Sequence, residues 1–310
     1  MVVVNWNDLE STLRCLGSIR ASSPDALLVL VDNASDGDPS GPVRHAYPEA
    51  EVVRLDTNRG YAGGCNAGAE RALARGAQHI LFLNNDASID EGTIPALLEA
   101  ARVHPDAILG PKIVYSDRPE TVWSAGGELS GPLLRNRHLG EGEPARDHQV
   151  DRRVSWTTGC ALFVSARCFR RIGPLDERYF LYLEDTDWCL RAAELGIETW
   201  FAAGAVVRHE VSRTLRSPAL ASSVRYYAYR NQYQLAIRRT SAWWRPLVIA
   251  DAVWTLIKAG IRSALSAGYR GDSHYHARTR AIRDFLLGRG GPMPAPAPRA
   301  EGVREAVTGQ

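Results

Sequence analysis

Cysteine is scarce in this chain and shows no pairing pattern. The five cysteines are odd in number, form no Cys-x-x-Cys pair and lie within apolar or helical stretches. This distribution indicates reduced, mostly buried thiols rather than a disulfide framework. The first residues, Met1 to Asn7, also lack a basic segment followed by an apolar stretch and a cleavage site, so we expect no standard signal peptide. Both absences favour a cytoplasmic protein.

The chain also lacks a large net charge and long apolar runs. The chain has 37 Lys and Arg residues against 35 Asp and Glu, a formal net charge of +2, so its bulk electrostatics give no reason to expect a nucleic-acid partner. It contains no run of about 18 uncharged apolar residues, the usual minimum for a membrane-spanning helix. The nearest stretch, Leu247 to Ile261, is interrupted by Asp251 and Lys258.

The flanks of that stretch allow two interpretations. Trp243, Trp244 and Arg245 precede it, and Arg262 and Arg270 follow it. Aromatic and basic residues around such a segment are typical of a helix lying on an anionic membrane, which would place the protein at the inner face of the plasma membrane. A helix packed against the rest of the protein explains the pattern equally well.

Strand-like and helical runs alternate through the N-terminal third of the chain. With 310 residues, 45% of them hydrophobic, the chain can bury a sizeable core. The alternation predicts an α/β, Rossmann-like fold with a mostly parallel sheet flanked by helices. The predicted strands are Val2 to Asn5, Ala26 to Val31, Glu51 to Leu55 and His79 to Leu83. The predicted helices between them are Leu9 to Ser22, Ser40 to Ala46 and Tyr61 to Arg75.

Each predicted strand ends in a cluster of polar residues. Asn5 ends the first strand, Asp32 follows the second, Asn58 lies beyond the third and Asn85 and Asp86 follow the fourth. Because ligands of an open parallel sheet bind outside the carboxyl ends of the strands, these clusters should converge on one site.

The remainder of the chain is less regular. The stretch Gly126 to Asp151, rich in Gly, Arg and Glu, predicts a lid, a binding loop or a disordered segment, and an apolar strand follows at Ala161 to Val164. We therefore divide the chain into a catalytic or binding domain at residues 1–218, a C-terminal helical region at 219–287 and a disordered tail, rich in Pro, Ala and Gly, at 288–310.

Two clusters are suited to binding a nucleotide. A carboxylate at Asp32 can accept hydrogen bonds from a pyrimidine imide or from ribose hydroxyls. Capping of a turn explains the residue equally well. The Gly-rich entry into a helix at Asn58 to Gly68, which includes Gly60 and Gly63, lets backbone N–H groups approach a diphosphate. Close packing of the helix on the sheet is the alternative. The spacing is not Gly-x-Gly-x-x-Gly after the first strand, which disfavours a Rossmann oxidoreductase.

Three further positions are suited to metal binding and acid–base chemistry. Asp86 offers the oxygen ligand that Mg²⁺ takes together with substrate phosphates, unless it only caps the helix that follows. Glu184, Asp185 and Asp187 open an amphipathic helix; the helix dipole accounts for one or two of them, but three repel each other, and one can act as a general base. His209 ends a strand, where a lone histidine is more often structural than a ligand.

Taken together and in this order, these segments resemble glycosyltransferase family 2, and within it the rhamnosyltransferase-like branch. The resemblance covers roughly residues 2 to 235. A later stretch, Tyr226 to Asn231, resembles an aromatic-Arg-Asn segment of that branch. The matching segments are Val4 to Asn7, Val31 to Ser35, Asn58 to Gly64, Leu83 to Asp86, Thr158 to Ala161, Glu184 to Asp187 and His209.

The resemblance implies a GT-A fold and a role for each site residue. It makes Asp185 the general base, and Asp86, with His209 as an additional ligand, the site of Mg²⁺ or Mn²⁺ against the diphosphate. It also makes Asp32 a contact of the nucleoside. With the patterns described above, we expect Asn5, Asp32, Asn58, Gly60, Gly63, Asn85 and Asp86 on the donor side, and Trp156, Gly159 and Glu184 on the acceptor side.

The chain departs from the family in two places. The family's Asp-x-Asp motif reads Asn84-Asn85-Asp86 here, so the metal should depend more on the diphosphate and on His209. The chain also begins level with its first strand, where relatives usually have a few preceding residues, so we expect a start upstream.

The function implied is inverting transfer of a sugar from a nucleotide diphosphate to a hydroxyl of a cell-envelope or lipid-linked glycan. dTDP-rhamnose is the first choice of donor, with UDP-sugars second. One alternative is a sugar nucleotidyltransferase, which would need a Gly-rich basic loop where Asn5 to Asp8 stand. The other is a catalytically silent scaffold, which the retained Asp86, Asp185 and His209 disfavour.

Overall fold

A computed structural model describes residues 1–211, 218–266 and 272–294. The strands are β1 (Val2–Asn5), β2 (Val29–Asp32), β3 (Glu51–Arg54), β4 (His79–Asn84), β5 (Ala87–Ile89), β6 (Ala107–Tyr115), β7 (Val122–Ser124), β8 (Gly127–Ser130), β9 (Arg135–His138), β10 (Arg152–Val154), β11 (Ala161–Ser165) and β12 (Glu198–His209). The helices are α1 (Leu9–Ser22), α2 (Ser40–Ala46), α3 (Gly60–Ala74), α4 (Thr93–Val103), α5 (Ala166–Ile172), α6 (Glu184–Glu194), α7 (Pro218–Arg239), α8 (Arg245–Leu265) and α9 (Ser273–Leu286).

Ten of the strands form one mixed sheet. Eight follow the order β10-β12-β6-β11-β4-β1-β2-β3, while β5 pairs with β12 and β7 with β6. The strands β3, β2, β1 and β4 are parallel to one another, as predicted, and β11 runs antiparallel between β4 and β6. The α/β fold is therefore confirmed, and the carboxyl ends of β1, β2 and β4 meet at one edge.

Helices cover both faces of the parallel strands, which explains why β1 is apolar at consecutive positions. Val2, Val3 and Val4 are all buried, in two core clusters on opposite faces of the sheet. Burying each such side chain contributes about 1.5–3 kcal/mol. On one face α3 lies very close to β1. A Cβ added at Gly64 would lie 2.6 Å from the side chain of Val4, and one added at Gly68 would lie 2.2 Å from the side chain of Val2. Close packing therefore accounts for part of the Gly-rich segment.

The segment Gly126 to Asp151 contains strands β8, β9 and the nearby turn, which corrects the expectation of a disordered stretch; its role as a lid or a binding loop stays a prediction. Antiparallel strands β8 and β9 form a hairpin, with Gly131 in the left-handed region at φ 64° in its turn. Nε2 of Gln232 in α7 donates hydrogen bonds to the carbonyls of Leu133 and Leu134 at 2.7 and 3.1 Å. The hairpin is thus attached to the C-terminal helices.

The C-terminal helices pack on one another and on the sheet domain. Tyr226 of α7 donates a 2.9 Å hydrogen bond to the buried carboxylate of Asp284 in α9. Beyond α9 the chain returns to the sheet domain, where the N–H of Gly291 donates to the carbonyl of Arg178 at 2.7 Å. The tail predicted to be disordered from residue 288 is therefore held in place as far as 293; residues 295–310 lie outside the described residues.

Helix α8 buries only a narrow stripe. Val248, Ala252, Thr255 and Ala259 face the other helices, and apolar side chains cover much of the opposite face. No helix in the described residues is both long and apolar enough to cross a membrane. The exposed apolar residues of α8 and the turn before it are Trp243, Trp244, Leu247, Ile249, Val253, Trp254, Ile257, Ile261 and Leu265.

Candidate active site

The ends of β1 and β2 join through a buried polar network. Nδ2 of Asn5 donates to Oδ1 of Asp32 at 2.9 Å and to Oγ of Ser35 at 3.1 Å, and Ser35 in turn donates to Asp32. Nε of Arg54 lies 3.7 Å from the other carboxylate oxygen of Asp32. Asp32 has no exposed surface, so a nucleoside would reach its carboxylate only if Ser35 moved aside.

The neighbouring loop is tied together by two asparagines. Nδ2 of Asn33 donates to Oδ1 of Asn58 and to the carbonyl of Gly60 at 3.0 and 2.9 Å, while Asn58 accepts the N–H of Gly60. Gly60 adopts φ 72°, and an added Cβ would lie 2.2 Å from the carbonyl oxygen of Phe180. An added Cβ at Gly63 would likewise lie 2.3 Å from Cβ of Arg59. Both glycines therefore have a packing requirement besides the predicted donor contact.

The end of β4 brings Asp86 beside His209. The strand β5 pairs antiparallel with β12, placing His209 opposite Ala87, and the N–H of Glu210 donates to the carbonyl of Asp86 at 3.0 Å. Nε2 of His209 then lies 3.1 Å from Oδ1 of Asp86. By contrast, Asn85 turns away from this pair, and its amide donates to Thr12 at 3.1 Å.

The donor atoms of this pair suit a divalent ion. Oδ1 of Asp86, which faces Nε2 of His209 at 3.1 Å, is buried and has no well-aligned hydrogen-bond partner among the described residues, as expected of an atom that can accept a further ligand. Carboxylate and imidazole both bind Mn²⁺, and Mg²⁺ prefers the carboxylate. No group of three His, Cys, Asp or Glu side chains arranged for a metal occurs in the described ranges.

Aromatic side chains from the hairpin region surround His209. The ring of Trp123 lies edge-on to His209 at 4.6 Å between centroids, and His138 lies 4.7 Å from Trp123 and 4.9 Å from Trp156. Trp156 is 2% exposed, and its indole N–H donates to the carbonyl of Glu128 at 3.2 Å. It therefore forms part of the wall of the site and offers almost no surface for stacking on a sugar.

Asp185 is held rigidly at the start of α6. Its Oδ2 accepts the backbone N–H of Gly159 at 2.7 Å, and its Oδ1 accepts the N–H and the hydroxyl of Thr186 at 2.6 and 3.2 Å. Cys160, adjacent to Gly159, contacts His209. Two consecutive residues directly before β11 thus connect the candidate base to the candidate metal pair.

The two neighbouring carboxylates of α6 differ from Asp185. Oε2 of Glu184 is buried without a hydrogen-bond partner in the described part of the chain. Asp187 is fully buried in an ion-pair network, where Nε of Arg191 and Nε of Arg239 lie at 3.1 and 2.7 Å. Asp187 is therefore structural, which explains one of the three carboxylates that the sequence places together.

Burial shifts the acid–base properties of the site. It raises the pKa of Asp185, against the lowering effect of the Gly159 and Thr186 hydrogen bonds. It also raises the pKa of Glu184 well above the usual range, and the charge of Asp185 adds to this. Burial lowers the pKa of His209, but contacts with Cys160 and Asp86 raise it more, to about 10. A metal must therefore compete with a proton on His209.

The comparison with known proteins agrees with this architecture. The family described as Glycosyl transferase family 2 matches residues 1–170. The chain belongs to glycosyl transferase family 2. Among curated proteins, this family 2 chain is 29% identical over 272 residues to the N-acetylglucosaminyl-diphospho-decaprenol L-rhamnosyltransferase of Mycobacterium tuberculosis, covering 80% of the chain and 84% of that relative. It is 25% identical over 265 residues to the dTDP-rhamnosyl transferase RfbF of Shigella flexneri, covering 83% and 85%.

Solved structures support the GT-A fold of this glycosyltransferase. The crystal structure of GalNAc-T7 with UDP, GalNAc and Mn²⁺ is similar to it with a TM-score of 0.61 and 15% identity. The match covers 92% of the chain and 55% of that protein. At this identity the likeness supports the fold alone. The family model confirms the predicted family, and both curated relatives are named as rhamnosyl transferases.

Proposed function

We propose that this family 2 glycosyltransferase transfers L-rhamnose from dTDP-rhamnose to a hydroxyl of a lipid-linked glycan with inversion. The observation that carries the proposal is that two consecutive residues before β11 contact two different centres: Gly159 holds Asp185, and Cys160 contacts His209 beside Asp86. A transfer reaction needs a base for the acceptor and a cation for the leaving diphosphate, and these two centres match that need.

Asp185 is the proposed base. Each of its oxygens already accepts a backbone N–H, from Gly159 and from Thr186, so its remaining lone pairs point in a fixed direction. Such preorganisation contributes to catalysis because no reorientation is needed when the acceptor hydroxyl loses its proton. In-line attack by that oxygen, opposite the diphosphate, inverts the anomeric carbon.

Asp86 and His209 are the proposed protein ligands of Mg²⁺ or Mn²⁺. When bound, the ion neutralises charge on the departing diphosphate. At about 4 Å and an effective dielectric near 20, one pair of unit charges is worth roughly 4 kcal/mol. Asn5, Asp32, Asn58 and the loop at Gly60 are proposed to bind the nucleoside and ribose on the other side of β1.

The donor and acceptor are proposed from the relatives. One relative is named a dTDP-rhamnosyl transferase and the other a rhamnosyltransferase acting on N-acetylglucosaminyl-diphospho-decaprenol. Transfer to a polyprenyl-linked sugar needs an enzyme at the membrane surface, and α8 fits that location. Arg245, Lys258 and Arg262 are its exposed charges, all positive, whereas Asp251 is partly buried and accepts a 2.6 Å hydrogen bond from Tyr233. We assign the apolar face of α8 to a bilayer rich in anionic lipid, at the cytoplasmic face of the plasma membrane.

The first experiment is a ligand panel followed by a transfer assay. The purified chain is heated with dTDP, UDP, dTDP-rhamnose and UDP-hexoses, each with Mn²⁺, Mg²⁺ or EDTA. A ligand at about a hundred times its Kd stabilises by roughly 2.7 kcal/mol, which raises the Tm by several degrees. We expect a metal-dependent shift with dTDP-rhamnose, and transfer to a short-chain N-acetylglucosaminyl-diphospho-prenol. No shift and no transfer with any donor would instead favour the silent scaffold.

A further inference from the structure

The segment that leads into the candidate base has an unusual backbone. Phe180, Tyr182 and Leu183 adopt φ values of 66°, 69° and 70°, in the left-handed region that side chains rarely occupy. None of them is Gly or Asn. Residues persist in such conformations only where their surroundings hold them, and these sites are often functional. Leu183 directly precedes α6, so the conformation of this segment sets the direction of Glu184 and Asp185.

One side chain from α7 holds the segment. Nδ2 of Asn231 lies 2.9, 2.8 and 2.7 Å from the carbonyl oxygens of Tyr179, Leu181 and Tyr182, so its two hydrogens are shared among three acceptors. Asn231 is completely buried. An amide NH₂ group is one of the few side-chain groups that can serve several carbonyls from one position, and the left-handed residues are what turn these carbonyls toward it.

Arg230 orients that amide. Its Nε donates to Oδ1 of Asn231 at 3.0 Å, which fixes which end of the amide faces the segment. Its Nη2 donates to the carbonyl of Tyr179 at 2.9 Å, and its Nη1 to the carbonyl of Gly291 at 2.6 Å. The guanidinium also lies over the ring of Tyr227, 5.1 Å from its centroid. This fully buried arginine therefore connects the segment before Asp185 to Gly291, which lies beyond α9.

We propose that Asn231, oriented by Arg230, is a positioning residue for the base Asp185. The inference rests on the proposed function, because it takes Asp185 as the base. Asn231 does not touch the substrate. It fixes the carbonyls of 179–182, the carbonyls fix the left-handed turn, and the turn places the carboxylate of Asp185 within reach of the Gly159 N–H.

The test compares Asn231→Ala and the milder Arg230→Lys with Tyr233→Phe, purified as full-length chains. Tyr233 lies in the same helix and donates a 2.6 Å hydrogen bond to Asp251 of α8, so its substitution removes a hydrogen bond of α7 away from the segment. Each variant is assayed for kcat, donor KM and the pH profile of rhamnose transfer. Amide hydrogen exchange of residues 178–187 is measured in parallel.

We expect Asn231→Ala to lower kcat about 100-fold, the scale of a small misplacement of a reacting group, with donor KM within about twofold of wild type. The acid limb of its pH profile should move to higher pH, since the Gly159 hydrogen bond lowers the pKa of Asp185. Arg230→Lys should show a smaller change in the same direction. Tyr233→Phe should retain wild-type kcat and pH profile.

Two outcomes would overturn the proposal. One is a wild-type kcat in Asn231→Ala, or in Arg230→Lys if Asn231→Ala does not fold. The other is an equal loss in Tyr233→Phe, which would reduce the role of Asn231 to general stability. If the wild-type chain itself transfers no sugar, the proposed function fails separately. Amide hydrogen exchange then still decides whether Asn231 holds residues 178–187. Exchange rates in Asn231→Ala equal to those of the wild type would show that Asn231 does not hold this segment.

Discussion

The backbone N–H of Gly159 donates a 2.7 Å hydrogen bond to Oδ2 of Asp185. This bond joins the start of β11 to the start of α6. A Cβ added at Gly159 would lie 3.5 Å from that oxygen and 2.9 Å from the ring of Tyr61, so the glycine leaves room for a close approach. The candidate base is thereby held by main-chain atoms, which cannot change rotamer.

Replacing Asp185 by Asn should remove the base and leave the donor site intact. We expect Asp185→Asn to lower kcat by about 10²- to 10⁴-fold, the usual contribution of a general base, with little change in dTDP binding. Steady-state kinetics and calorimetry measure the two quantities. The control is Glu194→Gln at the exposed end of the same helix, which should behave as wild type. Transfer by Asp185→Asn at the wild-type rate would disprove the assignment.

Replacing Asp86 should abolish the effect of divalent ions on donor binding. Asp86→Ala leaves His209 as the sole protein ligand of the pair, so Mn²⁺ should no longer increase the thermal stabilisation by dTDP. Because His209 has a raised pKa of about 10, the wild-type affinity for Mn²⁺ should increase with pH as the proton is displaced. Asp90→Ala, at an exposed residue paired with Arg208, is the control. Equal metal dependence in both variants would contradict the assigned ligands.

The buried Glu184 should make stability fall as pH rises. Its pKa is raised well above 4.5 by burial and by Asp185, so the folded state binds the proton more tightly than the unfolded state. The resulting stabilisation is complete below about pH 4.5, the unfolded pKa, and is lost as pH rises through the folded pKa. Glu184→Gln should therefore raise the Tm at pH 8, by about 2–4 °C for each kcal/mol relieved.

The gain from Glu184→Gln should disappear near pH 4.5, where the wild-type carboxyl is protonated as well. Calorimetric scans from pH 4.5 to 8 measure this dependence. The exposed Glu194→Gln serves as the matched variant and should follow the wild-type curve. A constant difference between Glu184→Gln and wild type across this range would show that Glu184 is not a buried acid.

Gly60 should be more sensitive to substitution than Gly76. Both have positive φ values, 72° and 80°, but an added Cβ at Gly60 would meet the carbonyl of Phe180, whereas nothing lies within 4 Å at Gly76. Gly76→Ala should therefore cost only the backbone strain, about 1 kcal/mol. Gly60→Ala should destabilise by more and also lower kcat, because Phe180 precedes the base. Urea unfolding and kinetics test this, and equal effects of the two substitutions would argue against the contact.

The apolar face of α8 should bind vesicles that contain anionic lipid. We expect sedimentation with phosphatidylglycerol vesicles, weaker binding to phosphatidylcholine and weakening by salt. The double substitution Trp243→Ala and Trp254→Ala should reduce vesicle binding at least tenfold, since each exposed indole would bury a large area on insertion into the bilayer. Exposed Val150, outside the face, provides the control Val150→Ala. Dimerisation without vesicle binding would assign the face to a second copy of the chain instead.

The regular parts of this fold were predictable from the sequence. The runs around Val2 to Val4 and at His79 to Leu83 are apolar because both faces of the sheet are covered, and such runs identify central parallel strands. Their polar ends also identified Asn5 and Asp32 as neighbours, which lie 2.9 Å apart, because parallel strands share one edge. The strand β2 begins at Val29 rather than at the predicted Ala26, since propensity does not define where pairing starts.

Contacts distant in sequence were not predictable in this way. Nothing in Asn231 itself indicates that it reaches the carbonyls of 179–182, and His138 gives no local signal that it will lie beside Trp123. The hairpin of β8 and β9 was missed because its residues are polar and half exposed, which is also the composition of a loop. The aromatic-Arg-Asn segment, Tyr226 to Asn231, was the one available sign in the sequence that Arg230 and Asn231 have a special role.

The bond between Gly291 and Arg178 has a consequence for how the enzyme is made. The strands that carry Asn5, Asp32 and Asp86 leave the ribosome early and can pair with one another at once. The segment before Asp185 acquires its last partners only when α7 and then residue 291 have been synthesised. A nascent chain can therefore form these strand ends before the segment that precedes Asp185, which gains all of its described contacts only after residue 291 has been synthesised.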